Sequence, residues 1–336
     1  MQEPIVGQSI QGELAQIHVE FLRAIDDELA EYDARGRVDG VAVGHGSHVG
    51  NQAGMYRYQF SIPRGAGLSV GRDVGFEARD VVCAGIVLKR SRDSVVVGLD
   101  EDFGSHTPSG RLLVDGRWLL VALRRRIALL NDALGSDVAR FNFASAARVV
   151  GIGDLMAMEQ LVLNADASCL NAEQRQLIVA AQHLSSATLW GPAGSGKSQT
   201  LVELIIALAD AGLRVLYVAP TNIAVDDLLE RANARLTSRA WYTRGRVLRF
   251  GPGDSLTLNA QLRAEHYIHD IVLQRLGGAA DSSRYREEAD NLLRSCVVAA
   301  TTLHQTYLSP LLSSSSWDVL VVDEASMVSP IPLYSA

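Results

Sequence analysis

The stretch Gly191-Pro-Ala-Gly-Ser-Gly-Lys-Ser198 constrains this chain more than any other. It fits the pattern GxxxxGK[ST], whose glycines let the backbone curl until successive N–H groups point inward. Such a loop needs a strand before it and a helix after it. The short run 187–190 is read as the strand. Leu201, Leu204, Ile205 and Leu208 recur at helical spacing after Ser198 and supply the helix. A helix N-terminus behind a curled loop concentrates partial positive charge, which suits a chain of phosphates. On this reading Gly191, Gly194, Ser195, Gly196, Lys197, Ser198 and Gln199 belong to an ATP-binding loop. Lys197 bridges the β- and γ-phosphates, and Ser198 ligates Mg2+.

Composition sharpens the point about Lys197. It and Lys89 are the only lysines in 336 residues, and arginine supplies the rest of the basic class. A chain that prefers arginine this strongly still places lysine where a phosphate-binding loop requires it.

The second half of a nucleotide site follows at residues 319–324. An apolar run, Val-Leu-Val-Val, ends in Asp323 and Glu324. Asp323 is expected to hold the Mg2+ shell, and Glu324 to orient and deprotonate the attacking water. A strand that ends in these carboxylates delivers them to the edge where ligands of open α/β sheets bind.

Between and around these motifs the chain reads as α/β. Strand candidates at 187–190, 214–219, 247–250, 296–300 and 319–322 alternate with helical segments, the pattern of a parallel sheet. A polar helical insertion breaks the rhythm at about 255–293. Upstream, residues 8–34 form one long amphipathic helix through Leu14, Ile17, Phe21, Leu22, Ile25 and Leu29. Short alternating runs at 40–43, 56–62, 80–87 and 94–99, separated by glycine-rich turns, suggest a small β-barrel. Helical spacing returns at 116–134. Arg124, Arg125 and Arg126 crowd one turn there, and read as a solvated face in preference to a nucleic-acid contact. The expected division is 1–135, helical stalks with a barrel at about 38–104; 136–169, a connector; and 170–336, the P-loop domain.

These motifs together resemble the superfamily 1B helicases, the group that includes the nonsense-mediated-decay helicase, senataxin and the immunoglobulin mu-binding helicase. Leu170-Asn-Ala-Glu-Gln174 resembles that family's Q motif, in which the glutamine amide reads the adenine edge; a polar helix start is the other reading of Gln174. Val218-Ala-Pro-Thr-Asn-Ile-Ala-Val-Asp226 resembles motif Ia and Val298-Ala-Ala-Thr-Thr302 resembles motif Ic. The resemblance implies that Thr221, Asn222, Thr301 and Thr302 lie along a nucleic-acid backbone, although Thr221 and Asn222 also suit plain helix capping. It implies a RecA-like P-loop domain preceded by a barrel on helical stalks. It also implies a second RecA-like half that closes over ATP and carries arginine fingers. Motif III should follow motif II, the run ending in Asp323 and Glu324, and the sequence stops at Ala336, so the chain is expected to be the first motor half only, binding ATP and Mg2+ but poorly active alone.

The remaining features bound the answer. A net charge of −7 neither favours nor excludes a nucleic-acid partner, because local faces decide binding. Cys83, Cys169 and Cys296 lack metal-type spacing and read as packed thiols. No signal peptide and no membrane-length apolar run are found, so a reducing cytoplasm is the expected setting. His45 and His48 read as a solvated turn, with no third ligand nearby for a metal. Besides the helicase portion, two readings remain: a nucleic-acid-binding or regulatory module, or half of a split motor completed by another chain; and an unrelated P-loop ATPase. Motif Ia argues against the last.

Overall fold

The computed structural model describes residues 5–34, 40–52, 55–79, 81–99, 101–114, 116–137, 170–181, 187–192, 194–251, 258–277, 282–313, 315–329 and 332. Residues 138–169, most of the expected connector together with Cys169, lie outside them.

The long amphipathic pattern forms helix α1 (Ile5–Ala34). Seven strands follow: β1 (Gly40–Val43), β2 (Ser47–Gln52), β3 (Met55–Ser61), β4 (Asp73–Ala78), β5 (Val81–Arg90), β6 (Ser94–Leu99) and β7 (Gly110–Leu113). They pair antiparallel in the order β1-β7-β4-β5-β6-β3-β2, and the inward residues Tyr58, Phe60, Phe76, Val97, Leu99 and Leu112 fill the concave side. The expected barrel is only half closed. β1 and β7 are four residues each, so the ladder runs out before β1 can reach β2. Segment 101–109 bridges part of the gap: the His48 N–H donates to Ser105 O at 3.0 Å and the Thr107 N–H to Gly46 O at 2.9 Å. The sheet also runs on to Leu113, past the expected limit near 104. β2, β4 and β7 escape sequence reading because each contains a glycine that interrupts its β-branched pattern. In β4 that glycine is needed. A Cβ on Gly75 would stand 2.7 Å from Cβ and Cγ of Trp118, which begins the next helix.

That helix is α2 (Arg117–Asp137). It packs on α1 through Ile25, Leu123 and Ile127, with Leu22 and Leu29 alongside. Arg124 binds both carboxylate oxygens of Asp26, at 2.5 and 3.1 Å, so one member of the arginine run clamps the two stalks together.

The second body begins with α3 (Ala172–Ala181) and α4 (Lys197–Asp210). Then come β8 (Val215–Ala219), α5 (Asn222–Thr237) and β9 (Val247–Arg249). The insertion follows as α6 (Ala260–His266), α7 (Ile268–Arg275) and α8 (Ser282–Ser295). β10 (Val298–Thr302), α9 (Leu303–Leu308), α10 (Pro310–Ser313) and β11 (Val319–Val322) complete it. The sheet is parallel, in the order β11-β8-β10-β9. β8, β9 and β10 are buried at every position, the mark of a sheet covered on both faces. Helices α4 and α5 cover one face through Val202, Ile205, Val225 and Leu229. The insertion helices cover the other through Ile271, Val272, Ala289 and Leu292.

One expected strand does not form. Residues 187–190 carry no ladder, and β11 stays an edge strand among the described residues. Of those four residues only Leu189 packs on the core, while Trp190 is 87% exposed. Four residues with a single buried anchor gain too little to offset the ordering of their backbone.

The two bodies touch. Tyr307 of α9 joins the apolar cluster of the stalks. Arg286 of α8 lies over the ring of Tyr56 in β3, 5.5 Å from its centroid.

Candidate nucleotide site and nucleic-acid cleft

Parallel register decides what meets at the sheet's C-terminal edge. Val322 pairs with Val218 and Thr302 with Ala219, so the residues that follow β8, β10 and β11 emerge side by side. This one edge collects Thr221 and Asn222, Thr301 and Thr302, and Asp323 and Glu324. Open α/β sheets bind ligands there.

The P-loop precedes α4. Gly194 and Gly196 take left-handed backbones, φ 78 and 83°, which only glycine adopts without strain. Gly196 is the N-cap of α4 and offers no side-chain oxygen, so the N–H groups of the first turn face the loop. A Cβ on Gly191 would stand 2.5 Å from Ser195 Oγ, so a side chain there would force the serine hydroxyl to move. Lys197 Nζ arches over the loop and donates to Gly191 O at 2.7 Å and Pro192 O at 2.9 Å. Those carbonyls hold the ammonium at the mouth, within the loop that a phosphate chain would enter. Ser198 and Gln199 occupy the first turn of α4. Gln199 Nε2 donates to Glu203 Oε1 at 3.0 Å, and the buried Glu203 also pairs with Arg235 of α5. Ala193 lies outside the described residues.

Gln174 serves as the polar helix start that one of its two sequence readings expects. Its Oε1 accepts from the Asn171 N–H at 2.9 Å while Asn171 Oδ1 accepts from the Gln174 N–H at 2.8 Å, a reciprocal cap on α3. Its Nε2 donates to Ser195 O at 3.0 Å. The cap therefore ties the Q-motif helix to the P-loop and places the amide beside it.

Asp323 ends β11. Its Oδ2 accepts from Tyr217 Oη at 2.9 Å and its Oδ1 from the Glu324 N–H at 2.8 Å. Burial, then the neighbouring Asp323 charge, pushes the Tyr217 phenol far above its ordinary range, so the phenol stays a donor. Glu324 has a left-handed backbone, φ 50°, which is uncommon for a side-chain-bearing residue and clusters at functional turns. Its carboxylate is exposed at the edge. The hydroxyl of Ser198 and the carboxylate of Asp323 are hard oxygen donors of the kind Mg2+ takes, so the residues present fit that ion.

Thr221 caps α5, its Oγ1 accepting from the Ala224 N–H at 3.2 Å. Asn222 accepts at Oδ1 from Arg249 Nη2, 2.8 Å away. Thr301 is fully buried, its hydroxyl donating to Phe250 O at 3.4 Å, whereas Thr302, though also buried, lines the cleft. Thr221, Asn222 and Thr302 line one cleft of about 310 Å3, whose far wall is Asp73 of the curled sheet and Leu119 of the stalk; His304 also faces it. The structure thus brings three of the four expected backbone-contact residues together and places Thr301 behind them. Burial lowers the pKa of His304, which keeps that ring neutral near pH 7.

Two residues of the site went unread in the sequence. Tyr217 looks like one more large residue in an apolar strand, yet a buried tyrosine hydroxyl needs a partner. Arg249 sits in the run Val-Leu-Arg-Phe, and its signal was present: an arginine in a fully buried strand requires an acid, and motif Ia supplies Asp226. Arg249 Nε meets Asp226 Oδ1 at 2.7 Å, and Nη1 reaches Phe250 O. His45 lies in a turn as expected, its Nδ1 2.8 Å from Thr107 O, whereas His48, also read as part of the turn, belongs to strand β2 and packs against Tyr58 opposite it.

Comparison with known proteins agrees with these motifs. Residues 169–276 match the AAA_11 family, an AAA domain. The chain is 28% identical over 219 residues to "DNA-binding protein SMUBP-2" of Mus musculus, covering 63% of this chain and 20% of that protein. It is 29% identical over 160 residues to "DNA replication ATP-dependent helicase/nuclease JHS1" of Arabidopsis thaliana, covering 47% and 10%. It is 25% identical over 166 residues to "DNA replication ATP-dependent helicase/nuclease DNA2" of Saccharomyces cerevisiae, covering 49% and 10%. The chain thus matches about a fifth or less of the length of these relatives. No described helix is long and apolar enough to cross a membrane. A P-loop, an Asp-Glu strand end and the Ala-Pro-Thr-Asn stretch lie on one sheet edge, and residues 169–276 match an AAA domain, so this part of the chain is similar to the ATPase region of these DNA-binding and helicase proteins.

Proposed function

We propose that this chain is the ATP-binding portion of an ATP-dependent DNA or RNA helicase, with single-stranded nucleic acid running through the cleft between the stalk and the motor sheet. The observation that carries the reading is the shared edge. Parallel register sets Asp323 and Glu324 beside Thr221, Asn222 and Thr302, so a nucleotide-driven shift at one set is felt at the other. In this reading the P-loop N–H groups and Lys197 bind the phosphates, Ser198 and Asp323 hold Mg2+, Glu324 positions and deprotonates the attacking water, and Gln174 reads adenine. Mg2+ supplies charge neutralisation between the phosphates when bound. The family resemblance implies an arginine-bearing second RecA-like half across the nucleotide. The described residues supply the opposite wall, so the 336-residue chain assayed alone binds ATP but hydrolyses it slowly. A missing arginine finger costs about 10³–10⁵ in rate.

The experiment is ATP binding and turnover by the purified chain, with and without single-stranded DNA or RNA. Binding lost in Lys197→Ala, with slow turnover in the parent, is expected. Vigorous strand-stimulated turnover abolished by Lys197→Ala would show a self-sufficient motor and refute the half-site reading. ATP binding with no affinity for either nucleic acid at low salt would favour an unrelated P-loop ATPase.

A further inference from the structure

We propose that Arg249 is a positioning residue for nucleic-acid binding: it fixes the amide of Asn222 so that its NH2 group, and not its oxygen, faces the cleft as a donor to a phosphate. This rests on the reading that the cleft takes a nucleic-acid backbone.

An asparagine amide carries two donors on one side and an acceptor on the other, and either can face a ligand unless something fixes it. A phosphate oxygen accepts only. Asn222 is therefore useful at a backbone contact in one orientation and repulsive in the other. Arg249 removes the choice. A guanidinium has donors and no acceptor, so the Asn222 atom 2.8 Å from Nη2 must be Oδ1. The NH2 group is then turned away from Arg249. Asn222 lines the cleft together with Thr221 and Thr302, so that group is available to the cleft side.

The guanidinium is itself fixed. Arg249 is fully buried in β9, held by Asp226 Oδ1 at 2.7 Å on Nε and by Phe250 O on Nη1. Asp226 lies one turn into α5, on the same helix that Asn222 begins. Helix, strand and amide form one bracket, and the planar fork of arginine is what spans its three acceptors. A lysine could neutralise Asp226 but could not also reach Asn222 and Phe250 with fixed geometry. Thr301, buried behind the cleft, donates to the same Phe250 carbonyl at 3.4 Å, so the strand end of motif Ic braces the bracket instead of touching the strand of nucleic acid.

The test uses the full chain, a fluorescent single-stranded oligonucleotide and anisotropy at low salt, with thermal unfolding of each variant. Asn222→Asp keeps an acceptor toward Arg249 but presents a second acceptor to the phosphate. It should unfold like the parent and bind about tenfold or more weakly, the scale of one hydrogen bond to a charged group. Arg249→Lys should weaken binding severalfold in the parent and cause no further loss in an Asn222→Ala background. A role confined to stability would lower binding equally in both backgrounds. Should Arg249→Lys fail to fold, Asn222→Asp and Asn222→Ala decide alone, with Asn222→Asp required to bind more weakly than Asn222→Ala. Unchanged binding by Asn222→Asp, or equal losses for Arg249→Lys in both backgrounds, overturns the inference while leaving the cleft reading in place. No oligonucleotide binding by the parent chain overturns both.

Discussion

Replacing Arg249 by methionine tests the energetic side of the bracket. The side chain is fully buried, and its partner Asp226 is 3% exposed. Methionine fills most of the aliphatic volume but removes the guanidinium. Asp226 then keeps a charge that faces a low-dielectric interior without its counter-ion, which costs about 3–5 kcal/mol. Asn222 Oδ1 and Phe250 O each lose a donor, adding roughly 1 kcal/mol apiece where water cannot replace it. The sum, about 5–7 kcal/mol, is a large part of the stability of an ordinary domain. Urea unfolding followed by tryptophan fluorescence reads it, because Trp241 packs against the motor core. The double variant Arg249→Met/Asp226→Leu removes both charges and should recover most of the loss. A single-variant loss under about 1 kcal/mol, or no recovery in the double variant, would refute the claim that a buried, paired charge sets the cost.

Three further outcomes follow from the same geometry. Tyr217→Phe removes the 2.9 Å bond to Asp323 Oδ2; it should cost about 1 kcal/mol of stability and weaken Mg2+-dependent ATP binding more than ATP binding in EDTA, both measurable by titration with a fluorescent nucleotide. Asp73 lies exposed at the rim of the cleft, and partial desolvation there raises its carboxyl to about 6. Its folded pKa stands above the unfolded one, so the folded state binds the extra proton and stability falls as pH rises from about 4 through 6. Oligonucleotide affinity should likewise rise as pH falls through 6, and Asp73→Asn should flatten that rise and improve binding at pH 7 by roughly two- to tenfold, the scale of one partly screened charge; an unaltered pH profile would count against it. Gly75→Ala forces a Cβ into Trp118, 2.7 Å away, and should destabilise the curled sheet by about 1–3 kcal/mol in urea, with nucleotide binding unaffected.

The sequence alone carried the chemistry and tertiary structure carried its arrangement. The P-loop, the Asp323-Glu324 strand end and the long stalk helices are local: glycine placement, an apolar run ending in carboxylates, and helical periodicity each show in a short window. The strands 215–219, 247–249, 298–302 and 319–322 were legible for the same reason. The half-closed sheet was not, because closure depends on whether four-residue β1 and β7 can meet β2, a long-range fact. Residues 187–190 read as a strand by composition, yet a strand exists only when another supplies its ladder, and none does among the described residues. Thr301 and Thr302 are neighbours in sequence with opposite fates, one buried under Phe250 and one lining the cleft, because successive strand residues point to opposite faces. Arg249 and Asp226 are 23 residues apart and each looks ordinary alone; only the packing of α5 on β9 makes them a pair. Local periodicity writes the elements, whereas burial and register, which join distant residues, decide which side chains meet.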